Sequence, residues 1–271
     1  MLIVDAQVHI WSSGVSSGVH RPIPSFSAEE CLAEMAAAGV DAVVLHPPGW
    51  DVNGVAVAEA AAAKYPDKFA ILGHFPLEKS ENRGLIDAWK TRPGMLGLRY
   101  AFTQPHQRDW MTDGTMDWLW PAAEKAGVPI ALMASNYLPQ VAQIAERHPD
   151  LRLLVDHYAR VRDASDDAAH GNQPALLALA RYPNVAVKAT GAAGNSSQPY
   201  PFRNIHKYTE QIFDAFGPQR TFWGTDITRM PCSWRQCVAM FTDEMPFLKG
   251  RDLELVMGRA VCDWIGWYLP H

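Results

Sequence analysis

Four cysteines in 271 residues, none spaced C-x-x-C, supply neither a disulfide framework nor a thiolate metal cluster. Cys31, Cys232, Cys237 and Cys262 read as reduced thiols. Charge is sparse as well: 20% of residues are charged and the net charge is −5. With no basic run, the chain lacks the electrostatic footprint of a nucleic-acid binder. No apolar stretch approaches the roughly 18 residues that span a bilayer. The N-terminus enters a strand at once, and Leu2-Ile3-Val4 is too short for a secretory apolar region. These absences predict a cytoplasmic protein with no nucleic-acid or membrane partner. What is present is a 48% hydrophobic composition, sufficient for a large core.

That hydrophobicity is organised. Eight β-branched runs recur: Leu2–Ile10, Val40–His46, Phe69–Phe75, Met95–Ala101, Val128–Ala134, Arg152–His157, Val185–Ala189 and Thr221–Asp226. Their spacing of about 31 residues is the length of one strand and one return helix. Eight such units predict an α/β fold, a (β/α)8 TIM barrel with an additional C-terminal helix. No linker shifts the composition, so residues 1–271 are expected to form one domain. In such barrels the chemistry sits at the C-terminal strand ends. Here those ends carry His9, His46, His74, Arg99, His157, Lys188 and Asp226.

Local patterns add detail. Alternation along the first strand places Asp5, Gln7 and His9 on one face. The Gly/Ser-rich loop Ser12 to Pro24 is long enough to cover the mouth. Ser27 and Glu30 form a capping-box pattern that starts a helix. A further helix is expected near Asn82–Lys90. The loop Phe102 to Asp113 has the length of a lid, and Tyr158–His170 reads as polar loop. The final segment, with helices near Trp234–Phe241 and Asp252–Trp264, is expected to cover the barrel wall.

Each strand-end group has two readings. Asp226 can take a proton from water or bind a metal; it can equally cap the next helix or pair with Arg229. His157 and His9 can polarise a carbonyl or ligate a metal, or serve as hydrogen-bonded structural residues. His46 and His74 can only fill the mouth or touch a ligand there. Arg99 and Lys188 in an apolar context must pair with internal acids or hold an anionic substrate. Ten tryptophans, including Trp11 and Trp50, suit packing or an apolar wall around a small ligand.

Asp5-Ala6-Gln7-Val8-His9-Ile10-Trp11, Asp156-His157 and Trp223-Gly224-Thr225-Asp226 resemble the amidohydrolase superfamily. The closer likeness is to its amidohydrolase-2 branch of lactonases and decarboxylases. Two departures stand out: Gln7 replaces the first histidine of the family's His-x-His, and Met133 stands where metal-dependent members place a strand-five histidine. The resemblance therefore implies a hydrolase that needs no cofactor, a metal-independent lactonase opening a carboxylated lactone or related cyclic ester. In that scheme Asp226 deprotonates water, while His157 and His9 donate to the developing oxyanion. Arg99, Lys188 and Arg229 hold the substrate's carboxylate, with Gln7, His46 and His74 at the mouth and Tyr200, Trp11 and Trp50 as walls. The alternative is a mononuclear hydrolase or non-oxidative decarboxylase with zinc or manganese on His9, His157 and Asp226. A non-catalytic binding barrel is the third. The partner in each case is a small anionic molecule, and the loop aromatics would suit a homo-oligomer.

Overall fold

The β-branched runs pair in chain order. They form β1 (Val4–Val8), β2 (Ala42–Leu45), β3 (Phe69–Gly73), β4 (Met95–Tyr100), β5 (Ile130–Leu132), β6 (Leu153–Val155), β7 (Val185–Thr190) and β8 (Thr221–Gly224). All neighbours are parallel, in the order β1 to β8. This computed structural model describes residues 1–16 and 18–269. The backbone N–H of Asp226 donates to Gln7 O (2.8 Å), drawing the end of β8 onto β1. A Cβ at Gly224 would lie 2.9 Å from both Ala6 N and Asp5 Oδ1, so only glycine permits that approach. The sheet thereby curls into the nearly closed barrel of a (β/α)8 fold.

Helices α1 (Ala28–Ala38), α2 (Gly54–Lys64), α3 (Leu119–Ala126) and α4 (Leu138–Arg147) follow β1, β2, β4 and β5. At α1 the capping box forms as the sequence predicts: Ser27 Oγ accepts from Glu30 N, and Glu30 accepts from Ser27 N. Such a cap is worth about 1 kcal/mol. After β3 the helix expected near Asn82–Lys90 runs from Ser80 to Thr91 and winds as a 3-10 helix. Ser80, Asn82 and Gly84, all weak α-formers, crowd its first half. After β6 come two short pieces, α5 (Asp166–Ala169), inside the stretch read as loop, and α6 (Gln173–Leu177). Then follow α7 (His206–Phe216) and, beyond β8, α8 (Trp234–Thr242), α9 (Gly250–Glu254) and α10 (Ala260–Ile265).

The C-terminal segment corrects one expectation: it closes the barrel floor and does not merely cover the wall. Leu255, Ala260, Val261, Cys262 and Ile265 pack in one cluster with the interior residues Val4, Ala6, Ala42, Val44, Leu154 and Phe222. Arg152, just before β6, donates to the carbonyls of Asp263 and Trp264. Most of the interior side chains are small, so the open end needs an apolar plug to reach ordinary packing density. Among the described residues no helix is long and apolar enough to cross a membrane.

A second correction concerns β1. Its register against β2 slips between Asp5 and Val8, so Ala6 and Gln7 together oppose Val44. This β-bulge resets the alternation. Asp5 turns outward to Trp234 of α8, whereas Gln7 and His9 turn toward the barrel axis. The three residues do not share one face.

Candidate active site

Asp226 stands in the left-handed region (φ 59°), a conformation that costs a non-glycine residue about 1 kcal/mol or more and clusters at functional sites. His157, just after β6, has φ 53°. The two turns aim both side chains over the barrel mouth. Asp226 is 2% exposed and carries the site's central charge.

Its two carboxylate oxygens face different partners. Oδ1 lies 3.4 Å from His9 Nε2 and 4.0 Å from His20 Nδ1. Oδ2 lies 3.4 Å from Arg229 Nη1 and 3.9 Å from His157 Nε2. Oδ1 is buried and has no hydrogen-bond partner among the described residues. Burial works against ionisation of Asp226, but His9, Arg229, His157 and His20 outweigh it and hold the carboxyl below its usual range. At neutral pH it is a carboxylate.

The histidines are held neutral. Burial pushes His9 down to about 4 against the pull of Asp226, and His157 to about 3 against Asp156 and Asp226. His9 Nδ1 meets the carbonyl of His46, which can only accept, so the proton sits on Nδ1 and Nε2 carries the lone pair. This revises the expected role of His9: neutral, it cannot donate to an oxyanion, but it can take a proton or a cation. His157 Nδ1 lies 2.8 Å from Thr190 Oγ1.

Beneath the mouth is a buried network that reaches the cavity through Arg99. Lys188 Nζ lies 2.7 Å from Asp156 Oδ1 and 2.6 Å from Gln7 Oε1. Arg99 Nε donates to Asp156 Oδ2 (2.7 Å). Burial lowers Lys188 to about 8, opposed by Asp156; the cations Lys188 and Arg99 in turn overcome burial to keep Asp156 ionised. Gln7 is thus fixed with its oxygen on Lys188 and its Nε2 3.4 Å from His9 Nε2. His46 Nε2 lies 3.0 Å from Ala6 O and 3.3 Å from Lys188 Nζ.

Above this network opens a cavity of about 560 Å³ lined by His9, His20, Trp50, Arg99, His157 and Asp226 and by the arginines Arg160, Arg162 and Arg229. Arg99 also borders a side chamber of about 280 Å³ that contains His74 and His106. Of the residues singled out in the sequence, His9, His157, Asp226, Arg99, Arg229 and Trp50 meet here. Others fall elsewhere. Lys188, Gln7 and His46 lie beneath the cavity, each buried within this network. Trp11 is buried behind Trp50, packed on Phe26. Tyr200 turns its edge to Phe202 and is not part of the cavity wall.

Sequence reasoning missed His20, Arg160 and Asp156. His20 is the one histidine of the Gly/Ser-rich loop thought able to cover the mouth, and that was its only signal. Arg160 was hidden in a stretch read as acidic loop.

The donor set fits a single borderline cation: His9, His20 and Asp226 offer ligand atoms within 4.8 Å of one another, and Asp226 Oδ1 is otherwise orphaned. His157 falls outside this group, which corrects the expected trio of His9, His157 and Asp226; its imidazole sits on the other carboxylate oxygen.

Comparison with known proteins agrees with this architecture. The family model described as amidohydrolase matches residues 4–254. The chain belongs to that amidohydrolase family. An L-fucono-1,5-lactonase of Burkholderia ambifaria is 24% identical over 233 residues, 82% of this chain and 79% of that protein. One from Burkholderia multivorans is 29% identical over 139 residues, 48% of this chain and 45% of its own. Among solved structures, an amidohydrolase from Burkholderia multivorans with bound zinc aligns with a TM-score of 0.83 at 18% identity, covering all of both chains. A probable 2-pyrone-4,6-dicarboxylic acid hydrolase from Acinetobacter baumannii, with citric acid bound, gives 0.76 at 14% identity over 98% of this chain and all of the other. The protein is a hydrolase, and its barrel is the family's.

Proposed function

We propose that this amidohydrolase opens a lactone ring that bears a carboxylate. The observation that carries it is Asp226, an ionised and buried carboxylate set among three imidazoles in a cavity lined in part by arginines. The lactonases among its relatives and the dicarboxylic acid hydrolase among its structural neighbours support the choice of a cyclic ester.

Asp226 takes a proton from water as the water oxygen bonds to the carbonyl carbon. Negative charge moves to the carbonyl oxygen. With the Thr190 hydroxyl donating to its Nδ1, His157 keeps its proton on Nε2 and donates to that oxygen, a contribution of about 3–4 kcal/mol for a well-placed donor. The bond from carbon to ring oxygen then breaks, and the ring oxygen takes the proton back from Asp226. Arg160 and Arg229 hold the substrate's carboxylate and orient the ring. Lys188, assigned to that task by sequence, is instead committed to Asp156 and Gln7.

A divalent cation held by His9, His20 and Asp226 would lower the pKa of water and polarise the carbonyl. The carbonyl of Gln7 holds the backbone N–H of Asp226 either way.

The test is a panel of aliphatic δ- and γ-lactones with and without a carboxylate, assayed by proton release. Turnover should favour the carboxylated members. Asp226→Asn should lose at least about 100-fold in kcat while still binding them. No turnover of any lactone, or near-normal turnover by Asp226→Asn, would refute the proposal.

A further inference from the structure

The first histidine of the family's strand-one pair is absent, and Gln7 in its place is occupied by Lys188. Yet the count of imidazoles beside Asp226 Oδ1 is restored from another element. The loop between β1 and α1 carries His20 back over the mouth, partly buried and with its ring 5.3 Å from that of His9. We infer that His20 is a loop-borne metal ligand, completing with His9 and Asp226 a mononuclear divalent-cation site that forms when this loop is seated.

Three observations converge. Asp226 Oδ1 is buried and has no hydrogen-bond partner, although it faces both rings. Leaving a buried carboxylate oxygen bare costs free energy that a cation would recover. His9 presents Nε2 as a lone pair toward that oxygen, since Nδ1 donates to the His46 carbonyl. Two electron-rich atoms 3.4 Å apart repel unless a proton or a cation lies between them. Finally, both rings are held by neighbouring oxygens: His9 through Nδ1 on His46 O, and His20 through Nδ1, the nitrogen that also faces Asp226 Oδ1 at 4.0 Å, on Thr228 Oγ1 at 2.8 Å. For His9, anchoring of the second ring nitrogen by a backbone oxygen is how metal-ligating histidines are oriented, and the Thr228 hydroxyl keeps the His20 ring beside Asp226.

The loop is built to deliver this ligand. Arg21 N donates to Thr228 O at 2.7 Å, so two successive loop residues dock on the turn after β8. Arg21 also pairs with Glu34 of α1, and Ser12 and Ser13 bond Asp51 on the other flank. Trp50 packs 4.8 Å from the His20 ring and limits its rotation. Arg229 stays on Oδ2, leaving the Oδ1 side to the two histidines. Two imidazoles and one carboxylate suit zinc or manganese, with the remaining positions open to water or substrate.

The site is testable whether or not the substrate is a lactone. Chelator-treated, dialysed protein is titrated with Zn²⁺ in a calorimeter. Wild type should take up one equivalent. His20→Ala should bind at least about 100-fold more weakly, since loss of even an outer partner of a ligand costs 10–100-fold. His157→Ala should bind as wild type does. Wild-type protein loaded with Cu²⁺ gives a check that needs no loop variant: pulsed EPR should count two coordinated imidazoles, unchanged in His157→Ala. Zn²⁺ should also protect the 12–24 loop from proteolysis in wild type and not in His20→Ala. A wild type that binds no Zn²⁺, a His20→Ala that binds equally well, or a single coordinated imidazole would overturn the inference.

Discussion

Lys188 Nζ lies 2.6 Å from Gln7 Oε1, beneath the mouth and out of reach of any ligand in the cavity. This pair sets the amide so that its nitrogen faces His9 Nε2. A strand-seven ammonium thus organises the strand-one residues that hold Asp226. Replacing Lys188 by Met should lower kcat by about 10–100-fold, the usual cost of losing an orienting partner, with a smaller change in KM. Steady-state kinetics on a turned-over lactone, with circular dichroism to confirm folding, measure this. A loss below threefold would mean that Gln7 needs no such anchor.

How far could this site be read from sequence? The barrel was legible because buried parallel strands leave apolar runs at even spacing: seven strands lie within their runs, and β7 passes the end of its run by one residue, Thr190. The strand-end positions of His9, His157 and Asp226 were legible for the same reason. The facing of Asp5 was not, because the bulge at Ala6–Gln7 breaks the alternation and nothing in the residues announces it. Lys188 looked like a ligand for an anion because its partner Asp156 comes from a different strand, a pairing that exists only once β6 and β7 are side by side. His20 was invisible as a site residue because its position depends on the whole course of a loop. Thr228, 208 residues away, holds it there.

Asp5 offers a test of the closure between β1 and β8. Its carboxylate accepts from Gln7 N, Thr225 N, Thr225 Oγ1 and Trp234 Nε1, four donors with no access to water. Four donors favour the ionised form, although burial pushes its pKa up to about 7. Asp5→Ala would strand these donors, at about 1–3 kcal/mol for each one left unsatisfied. The expected outcome is a loss of at least about 3 kcal/mol in a urea titration. A change under 1 kcal/mol would show that β8 closes on β1 without this residue.

The acid limb of the pH profile should be displaced. His9 and His157 are neutral in the folded protein down to about 4 and 3, whereas a histidine in the unfolded chain titrates near 6.5. Between those values the unfolded chain binds more protons, so stability falls as pH drops from 6.5 toward 4. The depressed Asp226 carboxyl adds to the loss in the same direction, below the ordinary carboxylate pKa. Activity requires neutral His9 beside ionised Asp226, so kcat/KM should stay level from pH 8 to about 5 and drop near 4. An acid limb near 6.5 would show that burial does not hold these rings neutral.

Arg160 bears on substrate charge. Its guanidinium lines the cavity and makes no ion pair among the described residues, and burial together with neighbouring Arg229 lowers it to about 10. A half-buried cation beside another cation is unfavourable until an anion arrives. A substrate carboxylate would relieve that repulsion and gain charge-assisted hydrogen bonds worth about 1.5–3 kcal/mol. Arg160→Ala should therefore raise KM for a carboxylated lactone by about 10–100-fold while leaving an uncharged lactone nearly unaffected. The same variant, freed of a strained charge, should be no less stable than wild type. Equal losses on charged and uncharged substrates would place Arg160 in the architecture of the mouth and remove the basis for an anionic substrate.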